Sequence, residues 1–388
     1  MQYRKLGRSG LDVGVIGLGA EYLWDFSLGR PASLDTVVSV VDEALDKGLN
    51  YIDIPLPAPA VRKNLGIALQ GRRQEVMVAG HLGAVLENNQ YTPHRDRALC
   101  EKSFEDLLVR LQTDYVDVLM LHCVDEQGDY NKVFEPEGLL GVAQRLRKEG
   151  KARLLGMSGH SVPVALKAVR GGHIDVLMFP VNPATDILPG DMRFETVWEP
   201  GTFQKAEAVQ ETTSPTRQEL YHTCAAAGVA VVAMKPYAAG RLFNPENPSS
   251  IVLTPVQCAS YALSQPGVTT IVPGCKNVDE MRAALAYLDA TDEQKDYSAI
   301  DTNAMWKLHG ACMYCNHCLP CPEAIDIAVT TRITDTASYS MDGNTITQYE
   351  SLAVHASACT ECGICTDRCP FGVDVVANMR RAAELFGK

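Results

Sequence analysis

Eight cysteines near the C-terminus carry the clearest chemistry in the sequence. They form two runs, Cys312-x2-Cys315-x2-Cys318-x2-Cys321-Pro322 and Cys359-x2-Cys362-x2-Cys365-x3-Cys369-Pro370. Thiolates at two-residue intervals wrap a cubane [4Fe–4S] cluster, and where two such runs share a chain the cysteine before each proline ligates the other run's cluster. This rule predicts one cluster on Cys312, Cys315, Cys318 and Cys369, and a second on Cys359, Cys362, Cys365 and Cys321. The first run is one residue shorter between its third and fourth cysteines but keeps the Cys-Pro ending. Structural zinc and disulfides are the alternatives. Zinc sites are usually built from paired C-x2-C knuckles, whereas here the triple spacing occurs twice.

A second set of chemically able residues lies upstream, each at the end of an apolar run. Asp53 closes one run, His81 another and His122 a third. Ser158-Gly159-His160, Asn182, Lys235 and the Pro273-Gly274-Cys275-Lys276-Asn277 segment stand at the ends of four later runs. Carboxylates and imidazoles gathered in one place are acid/base equipment. Any one of them alone reads equally well as a polar loop residue.

The elements that must position these residues are eight short apolar stretches: 15–19, 50–54, 75–79, 115–121, 152–158, 174–180, 229–234 and 269–273. Amphipathic patterns such as SLDTVVSVVDEALDKG and EGLLGVAQRLRKEG lie between most of them. Strands apolar on both faces and separated by helices predict parallel βαβ units. Eight units predict an α/β fold, a (β/α)8 TIM barrel over residues 1–290, whose catalytic groups gather at the C-terminal ends of the strands. Gly17-x-Gly19 lacks the third glycine and immediate helix of a dinucleotide fingerprint and reads as a tight turn. The long polar stretch from Asn182 to about Ser214 is expected to cover the mouth, with Phe194, Trp198 and Phe203 as apolar contacts. After a polar connection, residues 300–388 are expected to form a small, mainly helical iron–sulfur domain, with helices over PEAIDIAVTTRI and YESLAVHASA.

Bulk properties narrow the class. A net charge of −12 disfavours nucleic acid and anionic membrane surfaces as partners. No stretch approaches the ~18 apolar residues of a membrane span. Thirteen cysteines, with no apolar leader in MQYRKLGRSG, predict a reducing cytoplasm and metal ligation. The five cysteines outside the runs, Cys100, Cys123, Cys224, Cys258 and Cys275, read mostly as small core residues.

With these segments in view, the sequence resembles the aldo-keto reductases, in the branch with a C-terminal ferredoxin-type extension. The carrying segments are YRKLGRSGLDVGVIGLG, GLNYIDI, NLGIAL, DYVDVLMLH, LLGMSGH, VVAMKPYAAGRL and TTIVPGCKNVDEM, completed by the two cysteine runs. The resemblance implies hydride transfer between NADP(H) and a carbonyl, by a tetrad of Asp, Tyr, Lys and His. Asp53 matches the Asp and His122 the His. The tyrosine position is Ala58, with Gly66 keeping the register, and the lysine is replaced by His81. An Asp53–His81–His122 acid/base set is expected instead. For the cofactor, the resemblance implies Ser158 on the carboxamide and the loop of Gly274, Lys276 and Asn277 on phosphate. Asn182 and Lys235 are grouped with them as candidate contacts.

The expectation is therefore an oxidoreductase acting on a small hydroxy or carbonyl compound. Electrons would pass through two [4Fe–4S] clusters, with NADP(H) as a candidate hydride partner and a ferredoxin- or flavodoxin-type protein as external donor. A non-redox isomerase or dehydratase with structural clusters, and a non-enzymatic electron-transfer or sensor protein, are the competing expectations.

Overall fold

In the computed structural model the described residues are 1–26, 28–87, 90–186, 217–244, 252–297, 312, 318–339, 341, 343–369 and 373–388. An antiparallel pair, β1 (Tyr3–Lys5) and β2 (Asp12–Gly14), opens the chain around Arg8-Ser9-Gly10. It places Leu6 and Val13 in the same apolar cluster as the barrel interior. The barrel strands are β3 (Leu18–Gly19), β6 (Tyr51–Ile54), β7 (Met77–Leu82), β10 (Val116–Leu121), β11 (Ala152–Ser158), β12 (Val176–Pro180), β13 (Ala230–Met234) and β14 (Val268–Val272). Two small antiparallel pairs stand outside them, β4 (Trp24–Asp25) with β5 (Arg30–Pro31), and β8 (Ala84–Glu87) with β9 (Gln90–Pro93).

The eight barrel strands run parallel in the order β14-β13-β12-β11-β10-β7-β6-β3. The two ends of that sheet meet through the bridges Ile16 with Ile271 and Gly19 with Gly274. The expected α/β TIM barrel is thus observed, with each strand within a few residues of its predicted span. The main extension is β7, which continues to Leu82 and so contains His81.

Alternation along the strands sorts the side chains into two cores. Tyr51, Met77, Ala79, Val118, Met120, Val176, Met178 and Val232 fill the barrel interior. Their neighbours Ile52, Val78, Leu119, Leu177 and Val231 pack outward against the helices. This is the period-two pattern of a pleated strand, buried on both faces because helices cover the outside. Gly66, which holds the register of the segment after β6, is needed for close packing. A Cβ there would fall 2.3 Å from the Arg110 carbonyl oxygen of the neighbouring helix.

The described part of the cysteine-bearing segment is helical, as expected, with helices Ile327–Tyr339, Gly343–Glu350, Ile364–Asp367 and Val375–Phe386. The helix expected over YESLAVHASA differs. It stands earlier, ending at Glu350, and only a short 3-10 turn, Ala356–Ala358, follows. Tyr349 explains the exit: it is fully buried, stacks on Phe386 at 3.9 Å, and its hydroxyl accepts from Ala356 N while donating to Lys388 O. A single apolar cluster joins this region to the barrel, combining Ala238, Leu242, Leu253 and Cys258 with Cys318, Ile325, Ile327, Cys365 and Cys369.

Candidate active site and cluster sites

Asp53, His81 and His122 continue the inward-facing parity of their strands, one step above Tyr51, Ala79 and Met120. They therefore form the top of the barrel interior and line the floor of a cavity of about 490 Å³ at its mouth. All three are almost completely buried. Asp53 Oδ1 lies 2.9 Å from His81 Nε2, and His81 Nδ1 lies 2.7 Å from His122 Nδ1. The two imidazoles meet edge to face at 76°. The expected acid/base set is one hydrogen-bonded run.

The run has a fourth member that the sequence reading passed over. The Tyr91 hydroxyl hydrogen-bonds His122 Nε2. Tyr91 comes from β9, which pairs with β8 in the register Ala84 to Pro93, Val85 to Thr92 and Leu86 to Tyr91. This hairpin is an addition between β7 and the helix Arg97–Leu111. Arg95 pins its base, donating to the Cys123 carbonyl at 2.8 Å and to Asp129 Oδ1 at 2.7 Å. On the other side Gln90 Nε2 donates to the Cys321 carbonyl at 3.4 Å. Burial pushes the Tyr91 hydroxyl well above its ordinary range, with Cys123 and Glu21 adding to the rise. The group is therefore held protonated.

A second run faces the same cavity. Asp125 Oδ2 lies 2.9 Å from His160 Nδ1, and the Lys235 ammonium donates to His160 Nε2 at 2.9 Å. The carboxylate fixes the imidazole proton on Nδ1, which leaves Nε2 to accept. Cys123, Lys235, Ala238 and Ala239 all adopt left-handed backbone angles at this mouth. Such conformations cost of order 1–3 kcal/mol each and persist where neighbours over-determine them. At Cys123 the neighbours are Ser158 Oγ, accepting its N–H at 2.9 Å, and Arg95 on its carbonyl.

The residues expected to hold a nucleotide are placed differently from one another. Ser158, Lys235, Gly274 and Lys276 line the cavity. Asn182 is buried and donates to the Lys235 carbonyl at 2.9 Å, tying two strand ends together. Asn277 caps the helix Val278–Leu285, its Oδ1 accepting from Glu280 N at 2.9 Å. The Lys276 N–H donates to Glu280 Oε2 at 2.8 Å. Tyr22 lies over Gly274, so close that a Cβ there would meet the ring at 2.1 Å. As the side chains stand, the loop does not fit a phosphate: a carboxylate sits on the amide that would bind it, and a phenol ring covers the glycine. The covering loop expected from Asn182 to Ser214, with Phe194, Trp198 and Phe203, lies outside the described residues beyond Asp186.

The cysteine-bearing region fits iron–sulfur clusters. Cys321, Cys359, Cys362 and Cys365 line one small cavity, with Pro320 and Pro322 at its side. These are the four thiols of one predicted cluster. Cys312, Cys318 and Cys369 belong to the other predicted set, and Cys315 lies outside the described residues. All seven described thiols of the two runs are free of disulfides. The Glu361 N–H donates to Cys359 Sγ at 3.4 Å, the kind of bond that stabilises a cluster thiolate.

Comparison with known proteins agrees with both halves. The aldo/keto reductase family profile matches residues 15–188, and the 4Fe-4S dicluster domain profile matches residues 311–374. L-galactose dehydrogenase of Arabidopsis thaliana is 33% identical over 205 residues, covering 49% of this chain and 61% of that protein. The aldo-keto reductase YhdN of Bacillus subtilis is 30% identical, covering 42% of this chain and 48% of that protein. The chain thus spans about half to three fifths of the curated relatives it matches. The solved aldo-keto reductase AKR11C1 from Bacillus halodurans superposes with a TM-score of 0.57 at 24% identity, covering 79% of this chain and 96% of that one. Barrel order and paired cysteine runs agree with these matches: the chain carries an aldo/keto reductase family domain, matched over residues 15–188, and a C-terminal 4Fe-4S dicluster domain, matched over residues 311–374.

Proposed function

We propose that the chain is an iron–sulfur oxidoreductase acting on a small hydroxy or carbonyl compound at the barrel mouth. Asp53, His81 and His122 serve as its acid/base set. The observation that carries this reading is their continuous hydrogen-bonded run on the floor of the 490 Å³ cavity. Reduction of a carbonyl leaves an oxyanion, and a positioned acid accelerates its protonation ~10²–10⁴-fold. With alanine at position 58, the imidazole run is the equipment available at the base of the pocket.

The clusters, held by Cys312, Cys315, Cys318 and Cys369 and by Cys359, Cys362, Cys365 and Cys321, would supply one-electron transfer at low potential. Residues 1–290 form the substrate-binding barrel in this reading and 300–388 the cluster domain. A ferredoxin- or flavodoxin-type protein is the external partner by chemistry. NADP(H) enters only as a second electron partner, since its phosphate end requires Tyr22 and Glu280 to move. Among the described residues no helix is long and apolar enough to cross a membrane.

The test is anaerobic reconstitution followed by turnover of small aldehydes, ketones and hydroxy acids with reduced methyl viologen or NADPH. About eight irons per chain are expected from two cubanes. His81→Ala and His122→Ala should each lower turnover by roughly 10²-fold or more. A zinc-only protein, or full activity in both variants, overturns the reading.

A further inference from the structure

We infer that Tyr91 is the terminal proton donor of the Asp53–His81–His122 run, a catalytic tyrosine supplied by the β8–β9 hairpin rather than by the segment after β6. The inference rests on the function proposed above and adds the group that touches substrate. Position 58, where a resemblance to the family would put a tyrosine, is a buried alanine at the start of the helix Pro59–Ala68. Among the described residues lining the cavity, Tyr91 joins its phenol to the run through His122 Nε2.

Hydrogen-bond logic makes the run directional. With Asp53 ionised and both imidazoles neutral, His81 Nε2–H donates to Asp53, His122 Nδ1–H donates to His81 Nδ1, and the Tyr91 hydroxyl donates to His122 Nε2. Every donor then points away from the cavity, and the phenol oxygen presents a lone pair to it. One added proton, resting on His81 beside Asp53, reverses the outer bonds. His81 Nδ1–H donates to His122, His122 Nε2–H donates to the phenol oxygen, and the Tyr91 O–H is turned to the cavity. One proton count is a base and the next is an acid.

The acid step balances as a proton transfer. A substrate oxyanion gains an O–H bond as the Tyr91 O–H bond breaks. The phenol oxygen takes the proton of His122 Nε2, and His122 Nδ1 takes that of His81 Nδ1. His81 keeps its Nε2–H on Asp53. The run passes from net charge zero to minus one as the substrate oxygen passes from minus one to zero, and no oxidant or reductant is consumed in this step. Two features hold the phenol in place: the β8 pairing behind it, and Gln90, the preceding residue, resting on the Cys321 carbonyl. Burial of the hydroxyl keeps it a donor rather than a phenolate.

The test uses the reconstituted full chain and has two arms. In the first, 3-fluorotyrosine replaces Tyr91 and its ¹⁹F resonance is followed from about pH 5 to 9, across the range where histidine ordinarily titrates. The resonance should change with pH through the bond from Tyr91 to His122 Nε2, and His122→Phe should abolish the change. A resonance indifferent to pH, or unchanged by His122→Phe, overturns the inference. In the second, benzaldehyde is reduced with reduced methyl viologen as electron donor, two viologen radicals being oxidised per carbonyl. Tyr91→Phe should lower kcat on the order of 10²–10⁴-fold with little change in KM, and retained kcat overturns the assignment. If the wild-type chain reduces none of the carbonyl probes while the fluorine arm responds, the redox reading fails and the proton run stands.

Discussion

Replacing His81 by leucine removes both ring nitrogens and leaves a carboxylate behind. Asp53 is 4% exposed and His81 2% exposed, so water cannot take over the lost bond cheaply. Breaking a buried pair by deleting one partner costs on the order of 3–5 kcal/mol, because the remaining charge stays desolvated. For a domain of this size class ~1 kcal/mol lowers Tm by roughly 2–4 °C. His81→Leu should therefore lower the barrel transition by roughly 6–20 °C. The double change Asp53→Leu/His81→Leu removes the stranded charge as well and should recover at least half of that loss, despite being the larger alteration. Thermal unfolding of the anaerobic cluster-loaded protein, by circular dichroism and calorimetry, completes the cycle with Asp53→Leu alone. A double variant no more stable than His81→Leu would refute the reasoning, since the penalty would then not come from Asp53.

Stability should fall as pH rises past about 10, where unfolded tyrosines lose their protons while burial holds the Tyr51, Tyr91 and Tyr237 hydroxyls well above that value. The folded state then binds more protons than the unfolded one, so alkali favours unfolding. Tyr51→Phe should flatten the slope by up to about 1.4 kcal/mol per pH unit in urea titrations, and an unchanged slope counts against it. Burial pushes the thiols of Cys100, Cys224, Cys258 and Cys275 up to about 12. Maleimide at pH 8 should spare these four and label the partly exposed Cys123, as read by peptide mass. Gly274→Ala should displace the Tyr22 ring at a cost of about 1–3 kcal/mol, measured by urea unfolding. Cys321→Ala should remove about half of the iron, read by iron assay and electron paramagnetic resonance, because its cavity is shared with Cys359, Cys362 and Cys365.

The barrel and the floor of its pocket were legible because strand chemistry repeats every two residues. Tyr51 and Asp53, Ala79 and His81, and Met120 and His122 share a parity that any apolar run displays. The cysteine runs were legible for the same reason: their ligands are local in sequence. Tyr91 was not. It stands 31 residues before His122 in a QYTP segment that carries no apolar period, and its bond exists only once the hairpin folds over the mouth. The second run was half legible. His160 and Lys235 announced themselves at strand ends, but the bond between them spans 75 residues and depends on the left-handed turn at Lys235. The Gly274–Asn277 loop shows the converse limit. Its residue types suit a phosphate, yet Glu280 and Tyr22 occupy the positions those types would offer.

The shared cysteine cavity has a consequence for how this protein matures. Cys321 stands 38 residues before Cys359 in the chain, and the helices Ile327–Tyr339 and Gly343–Glu350 lie between them. A cavity walled by both runs is a knot of topology rather than two beads on a string. The second run is then no free-standing module that could be grafted alone, because Cys321 of the first run walls the same cavity. Iron placed there ties distant stretches of chain together, closing a loop around the intervening helices. Loss of one cysteine should then be felt at both ends of that loop, and through Gln90 at the hairpin that carries Tyr91.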